Sequence, residues 1–191
     1  MTCSLEKLLE QARQHFERVD LLSHFEKDSD RVATAYVALD TAEDTSTALS
    51  HYETSEAIVS DDCEKYLRLY GFLQAIFLQQ DASVELHQLF VGSRPEPAGE
   101  SAWTELRSLR NVTVGHPVEV KRLGEIRRTF VNRACLDADG FEYEVWNKAK
   151  ADFSSERADL KALYADYEQE AAALFEAVLA CLARIPGAHL G

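Results

Sequence analysis

Arg110 and His116 stand six residues apart in the stretch Arg110-Asn111-Val112-Thr113-Val114-Gly115-His116-Pro117. Arginine is permanently charged and grips phosphate bidentately. Histidine as a residue type titrates near neutrality and serves as general base or acid. With the amide of Asn111 and the hydroxyl of Thr113, these groups suit cleavage of an RNA phosphodiester without a metal. A base removes the 2′-hydroxyl proton, or an acid protonates the leaving oxygen. A cation then stabilises the charge of the phosphorane-like transition state. Plainer alternatives exist. Arg110 could pair with Glu105 or Glu119 at the surface. His116 could cap a helix C-terminus, where imidazolium suits the negative end of the helix dipole.

The charge pattern around these residues is unusual for the chain. The 191 residues carry a formal net charge of −13, which argues against a general nucleic-acid coat. Between Ser101 and Arg133, however, seven basic residues face three acids, a net of +4 that leaves −17 elsewhere. The basic residues are Arg107, Arg110, Lys121, Arg122, Arg127, Arg128 and Arg133. Distribution rather than total charge governs where an anion is drawn. Arg107, Lys121, Arg122, Arg127 and Arg128 are therefore candidate RNA-guiding residues.

Other chemistries find no support in the pattern. Cys3, Cys63, Cys135 and Cys181 are scattered, without zinc or thioredoxin spacing, and reduced thiols are expected. His15, His24, His51, His87 and His189 show no ligand spacing, and no Gly-rich phosphate loop or G-x-S-x-G element occurs. Neither a metal nor a cofactor is expected. The opening residues hold no apolar signal-type core. The apolar stretch 171–183 is interrupted by Glu176 and is too short for a membrane span. The expectation is a cytoplasmic protein.

Apolar periodicity supplies the elements that must position the motif. It predicts helices over 4–25, 30–54 and 61–90, with a thinned stripe at 41–47 that could be a break. Gly92-Ser93-Arg94-Pro95-Glu96-Pro97-Ala98-Gly99 reads as a loop. A short helix follows from Ser101, with Trp103, Leu106 and Leu109 on one face, and Pro117 ends it. Residues 128–135 and 141–145 flank Asp139-Gly140 as a β-hairpin within about 126–147. A last helix is expected over 154–183, with Tyr164 and Tyr167 in the core or at an interface. The fold class expected is mostly all-α: one domain over 1–191, an antiparallel helical bundle with a small β-hairpin before the last helix.

On this frame the motif resembles the R-x4–6-H signature of HEPN domains: Arg110, the polar Asn111, then His116 after five intervening residues. It is similar to a bacterial branch in which a Gln-Gln-Asp element precedes the motif and a hairpin follows, here Gln79-Gln80-Asp81 and the 128–145 hairpin. The resemblance spans roughly 66–146. It implies a homodimeric, metal-independent endoribonuclease, of the kind found in toxin–antitoxin and antiviral systems, with RNA as substrate and an antitoxin or regulator as partner. The family also contains binding-only modules, so the alternative is a domain that holds RNA, a nucleotide or a protein partner without cutting.

The resemblance makes Arg110 and His116 catalytic, with Asn111 positioning phosphate or imidazole. Gln80, Asp81 and Glu105 become candidate supports behind them. For Gln79-Gln80-Asp81 the plainer alternative is a solvated helix face. On an ideal α-helix, six steps of about 100° leave Arg110 and His116 roughly 120° apart. Either Gly115 and Pro117 distort the last turn, or two subunits compose the site about a two-fold axis.

Overall fold

Leu5, Leu8, Leu9, Ala12 and Phe16 recur at helical spacing, and all five are buried along α1 (Leu5–Phe16). The structure is a computed structural model that describes residues 4–54, 62–118, 120–122, 125–137 and 139–187. The helix expected to reach residue 25 stops at Phe16. The chain turns and restarts as the four-residue α2 (Leu21–His24), capped by the Asp20 carboxylate, which accepts from the Ser23 amide at 3.0 Å. Asp and Ser offer the backbone local bonds that compete with helix continuation. Leu22, which one helix over 4–25 would place on the apolar stripe, is 47% exposed.

Helix α3 (Ser29–Thr54) runs unbroken through the polar stretch 41–47. The hydroxyls of Thr41, Thr45 and Thr47 donate to carbonyls of the preceding turn, and Ala42, Thr45, Ser46 and Leu49 are buried. Small side chains here let α3 lie close along α4 (Asp62–Val91), its main packing partner. Helix α4 also contacts α5 (Ala102–Arg110) and α6 (Leu160–Leu182), so it is the central element, and Leu69, Leu73, Ile76 and Leu86 are buried along it. Each such side chain contributes about 1.5–3 kcal/mol of transfer free energy.

The β region is larger than a hairpin. Strands β1 (Val120–Arg122), β2 (Glu125–Leu136), β3 (Gly140–Asn147) and β4 (Asp152–Asp159) form an antiparallel sheet in the order β1-β2-β3-β4. The expected turn lies between β2 and β3, where Asp137 accepts from the Asp139 and Gly140 amides at 3.0 and 2.9 Å. A side chain at Gly140 would meet the Ala158 carbonyl oxygen at 2.0 Å, so β4 can approach only because residue 140 is glycine.

Residues 154–159, expected to open the last helix, belong to β4. They include no apolar side chain before Ala158, and Asp159 caps α6 by accepting from the Ala162 amide at 2.9 Å. Tyr164 and Tyr167 are buried core residues. The chain is thus mostly helical with one four-stranded antiparallel sheet. Among the described residues no helix is long and apolar enough to cross a membrane.

Candidate functional site

The motif begins where α5 ends. Ser101 caps α5 by accepting from the Thr104 amide at 3.2 Å. Glu170 of α6 accepts from the Ala102 and Trp103 amides at 3.1 and 2.8 Å. A carboxylate there satisfies two amides that a helix start leaves open and suits the positive end of its dipole. Trp103, Leu106 and Leu109 are buried, which turns Arg107 and Arg110 toward the margin of the core.

Beyond Arg110 the helix changes pitch. Residues Asn111–Gly115 form a π-helical turn, closed by the His116 amide donating to the Asn111 carbonyl at 2.8 Å. Val112, Thr113 and Val114 are β-branched and Gly115 is a poor helix former, so the α-helical register is weakly held. The buried Thr113 hydroxyl donates to the Leu109 carbonyl at 2.7 Å, a back-bond that bends helices. His116, ahead of proline, leaves helical angles at φ −140°, ψ 53°. A π turn rotates less per residue than an α turn, so the separation of about 120° expected on an ideal helix no longer applies.

The consequence falls on Arg110. Gly115 lies against its guanidinium: a Cβ at residue 115 would sit 2.7 Å from Nη1 and 3.4 Å from Cζ. Arg110 Nε and Nη2 donate to Gln74 Oε1 at 3.1 and 2.9 Å, and Nη1 donates to Asn111 Oδ1 at 3.2 Å. The Cζ atom stands 4.1 Å from the centroid of the Phe77 ring. These acceptors are neutral amides. Among the described residues no carboxylate pairs with Arg110, including Glu105, which is exposed. A guanidinium has five N–H donors, so among the described residues two are left for an anion and no carboxylate neutralises the charge.

Arg107 is held differently. It donates to Asp81 Oδ1 at 2.8 Å and to Gln80 Oε1 at 3.3 Å, with Cζ 4.3 Å from the same Phe77 ring. Gln80 in turn donates to the Trp103 carbonyl at 2.9 Å. Gln80 and Asp81 therefore brace Arg107, whereas Gln74 and Asn111 hold Arg110. Gln79 and Gln80 are fully buried, not a solvated face. Gln79 Oε1 accepts from the fully buried Tyr167 hydroxyl at 2.9 Å, and that burial holds the phenol's pKa well above its ordinary value.

A cavity of about 560 Å³ opens beside the motif between α4, the loop 92–100 and α5. Arg94, Arg107, Asn111, Trp103, Pro95 and Thr104 are among its lining residues, so Asn111 borders both the cavity and Arg110.

His116 is exposed and directly follows the glycine that touches Arg110. The Pro117 carbonyl accepts from the Thr129 amide at 2.9 Å, which ties the motif's exit to β2. Of the basic residues expected to guide RNA, Arg107 lies on α5 beside Arg110. Arg127 and Arg128 lie on β2, and Lys121 and Arg122 pair in register with Ile126 and Glu125. Glu119 lies outside the described residues.

Sequence reasoning missed Gln74, Phe77, Gly115 as a contact residue, and Glu170. A signal existed for two of them. Gln74, Phe77 and Asp81 sit at helical i, i+3, i+7 spacing on α4, one stripe facing α5. Glu170 comes from the far end of the chain, and nothing in its surroundings marks it. Compared with known proteins, the chain matches no family model, no curated protein and no solved structure.

Proposed function

We propose that the chain is a HEPN-type, metal-independent endoribonuclease that works as a cytoplasmic homodimer. The observation that carries this reading is Arg110: a guanidinium held by amide oxygens, uncompensated by any described carboxylate, with the His116 backbone one residue beyond its glycine contact. In this mechanism two N–H groups of Arg110 bind the scissile phosphate and stabilise its transition-state charge. The His116 imidazole takes the 2′-hydroxyl proton or protonates the 5′-oxygen that leaves. Asn111 keeps Arg110 aligned. The long helices act as an antiparallel bundle that presents the motif of each subunit at a two-fold axis, and an antitoxin or regulator restrains the enzyme, as in toxin–antitoxin or antiviral defence.

The test is cleavage of single-stranded RNA in EDTA by wild type, Arg110→Ala and His116→Ala, with circular dichroism and melting temperature as fold controls. Both variants should keep the fold and lose cleavage. Equal cleavage by all three sinks the assignment.

A second reading draws on the cavity beside Asn111. Arg94 and Arg107 at its wall, with Trp103 and two prolines, suit a nucleotide-sized ligand held without being cut. Saturable nucleotide binding by a protein that never cleaves RNA would favour it.

A further inference from the structure

The sheet has two unlike faces. Thr129, Phe141, Tyr143, Asn147 and Ala158 are buried on one. On the other, strand alternation brings together Phe130 of β2, Trp146 of β3 and Phe153 of β4. Phe130 and Phe153 are 51% and 54% exposed. Their ring centroids lie 6.0 Å apart, and the Trp146–Phe153 centroids lie 4.7 Å apart. Single exposed apolar residues are ordinary, but three contiguous rings on a solvent face call for a partner.

Charge indicates which partner. Arg128 stands in register beside Trp146 on this face, and β1 brings Lys121 opposite Ile126, two residues earlier along β2. These strands belong to the single basic segment of a chain whose net charge is −13. The acids of the face, Glu142 and Glu144, lie on β3, and Arg157 of β4 pairs with Asp137 at 2.8 Å. Rings with the Arg128 cation beside them match an unpaired nucleic-acid strand, whose bases stack on aromatics while its phosphates meet the positive charge. A duplex hides its base faces and cannot use them.

We propose that Phe130, Trp146 and Phe153, with Arg128, form a stacking platform for single-stranded RNA. The Thr129 amide, between Arg128 and Phe130, is bonded to the Pro117 carbonyl immediately after His116. The platform therefore grips nucleotides next to the phosphate that Arg110 and His116 address. This placement relative to a cut rests on the nuclease reading, whereas the stacking itself does not.

The experiment titrates full-length His116→Ala protein with a 12-nucleotide oligouridylate and with an RNA duplex of equal length, reading labelled-RNA anisotropy and tryptophan fluorescence. Trp103 is 4% exposed, so quenching reports on Trp146. Single-stranded RNA should quench the signal, and Trp146→Phe should abolish the quench while retaining binding. Phe130→Ala and Phe153→Ala remove exposed rings, so they should leave the melting temperature unchanged and weaken binding about five-fold or more each. Glu144→Lys should tighten it.

Binding that is unchanged in both alanine variants overturns the platform, as does equal or tighter binding of duplex. If these variants split a dimer in sedimentation while RNA affinity stays constant, the face is a protein interface and the proposal falls. Quenching by single strands in a protein whose wild type cuts no RNA supports the platform and removes only the nuclease reading.

Discussion

Gly115→Ala separates a site role for Arg110 from a structural one. A Cβ at residue 115 would stand 2.7 Å from Arg110 Nη1, so the guanidinium must retreat by roughly 0.7 Å to reach ordinary contact. Its bonds to Gln74 and Asn111, at 2.9 to 3.2 Å, tolerate only a few tenths of an ångström before leaving hydrogen-bonding range. The fold has little at stake. The clash is with the end of a long side chain, and alanine is favoured over glycine by about 0.5–1 kcal/mol in helical backbone. The net change in stability is therefore expected within about 1 kcal/mol of zero. Catalysis has much at stake, because misplacing a transition-state cation by about 1 Å costs on the order of 100-fold in rate. The assay is kcat/KM for single-stranded RNA alongside a urea melt. A drop near 100-fold with an unchanged melt fits the argument. Wild-type kcat/KM would refute it, since the guanidinium would then be shown not to need its observed position.

Other outcomes follow from single contacts. Gln74→Glu keeps the reach to Arg110 but replaces a neutral acceptor with a carboxylate. Anion affinity should fall about ten-fold or more while the melting temperature does not drop, measured by RNA anisotropy and calorimetry. Tyr167→Phe leaves buried Gln79 Oε1 without its donor and should cost about 1–3 kcal/mol in urea unfolding, with m unchanged. Arg157 and the turn amides hold the Asp137 carboxyl below the ordinary aspartate range. Because the folded pKa is the depressed one, this stabilisation is present above the unfolded value and is lost as pH falls through the folded value. The pair is half exposed, so its contribution to stability is small. NMR titration should find the Asp137 carboxyl rising toward the ordinary range in Arg157→Gln, and no movement would contradict the assigned cause.

The legible parts of this fold were those where one local pattern dominates. The stripe on α1, the long helical periodicity of α4 and Asp-Gly between two alternating segments each specify an element without help. The misread parts were boundaries where local chemistry competes with periodicity. At Asp20 a capping carboxylate restarts the chain although the apolar stripe continues in sequence, so the first helix stops early, and at Asp159 the cap opens the last helix only after the polar residues of β4, so it starts late. The sheet gained two strands because β1 and β4 are short or polar and are held by pairing to neighbours, not by a pattern of their own.

For the candidate site the division is similar. Arg110, Asn111 and His116, their basic neighbourhood and the break before Pro117 are properties of a short stretch of chain, and sequence alone determined them. It also identified Gln79-Gln80-Asp81 as an interruption of an apolar helix. Only the tertiary structure decided that Gln80 and Asp81 brace Arg107, that Gln74 and Phe77 hold Arg110, and that Glu170 anchors the helix carrying both. Those partners lie 26 to 68 residues away, and long-range side-chain contacts leave no periodic trace. The π turn belongs to both levels. Three β-branched residues and a glycine weaken the α register locally, while the packing of α5 against α4 and α6 and the bond from Pro117 to β2 set the pitch the chain adopts.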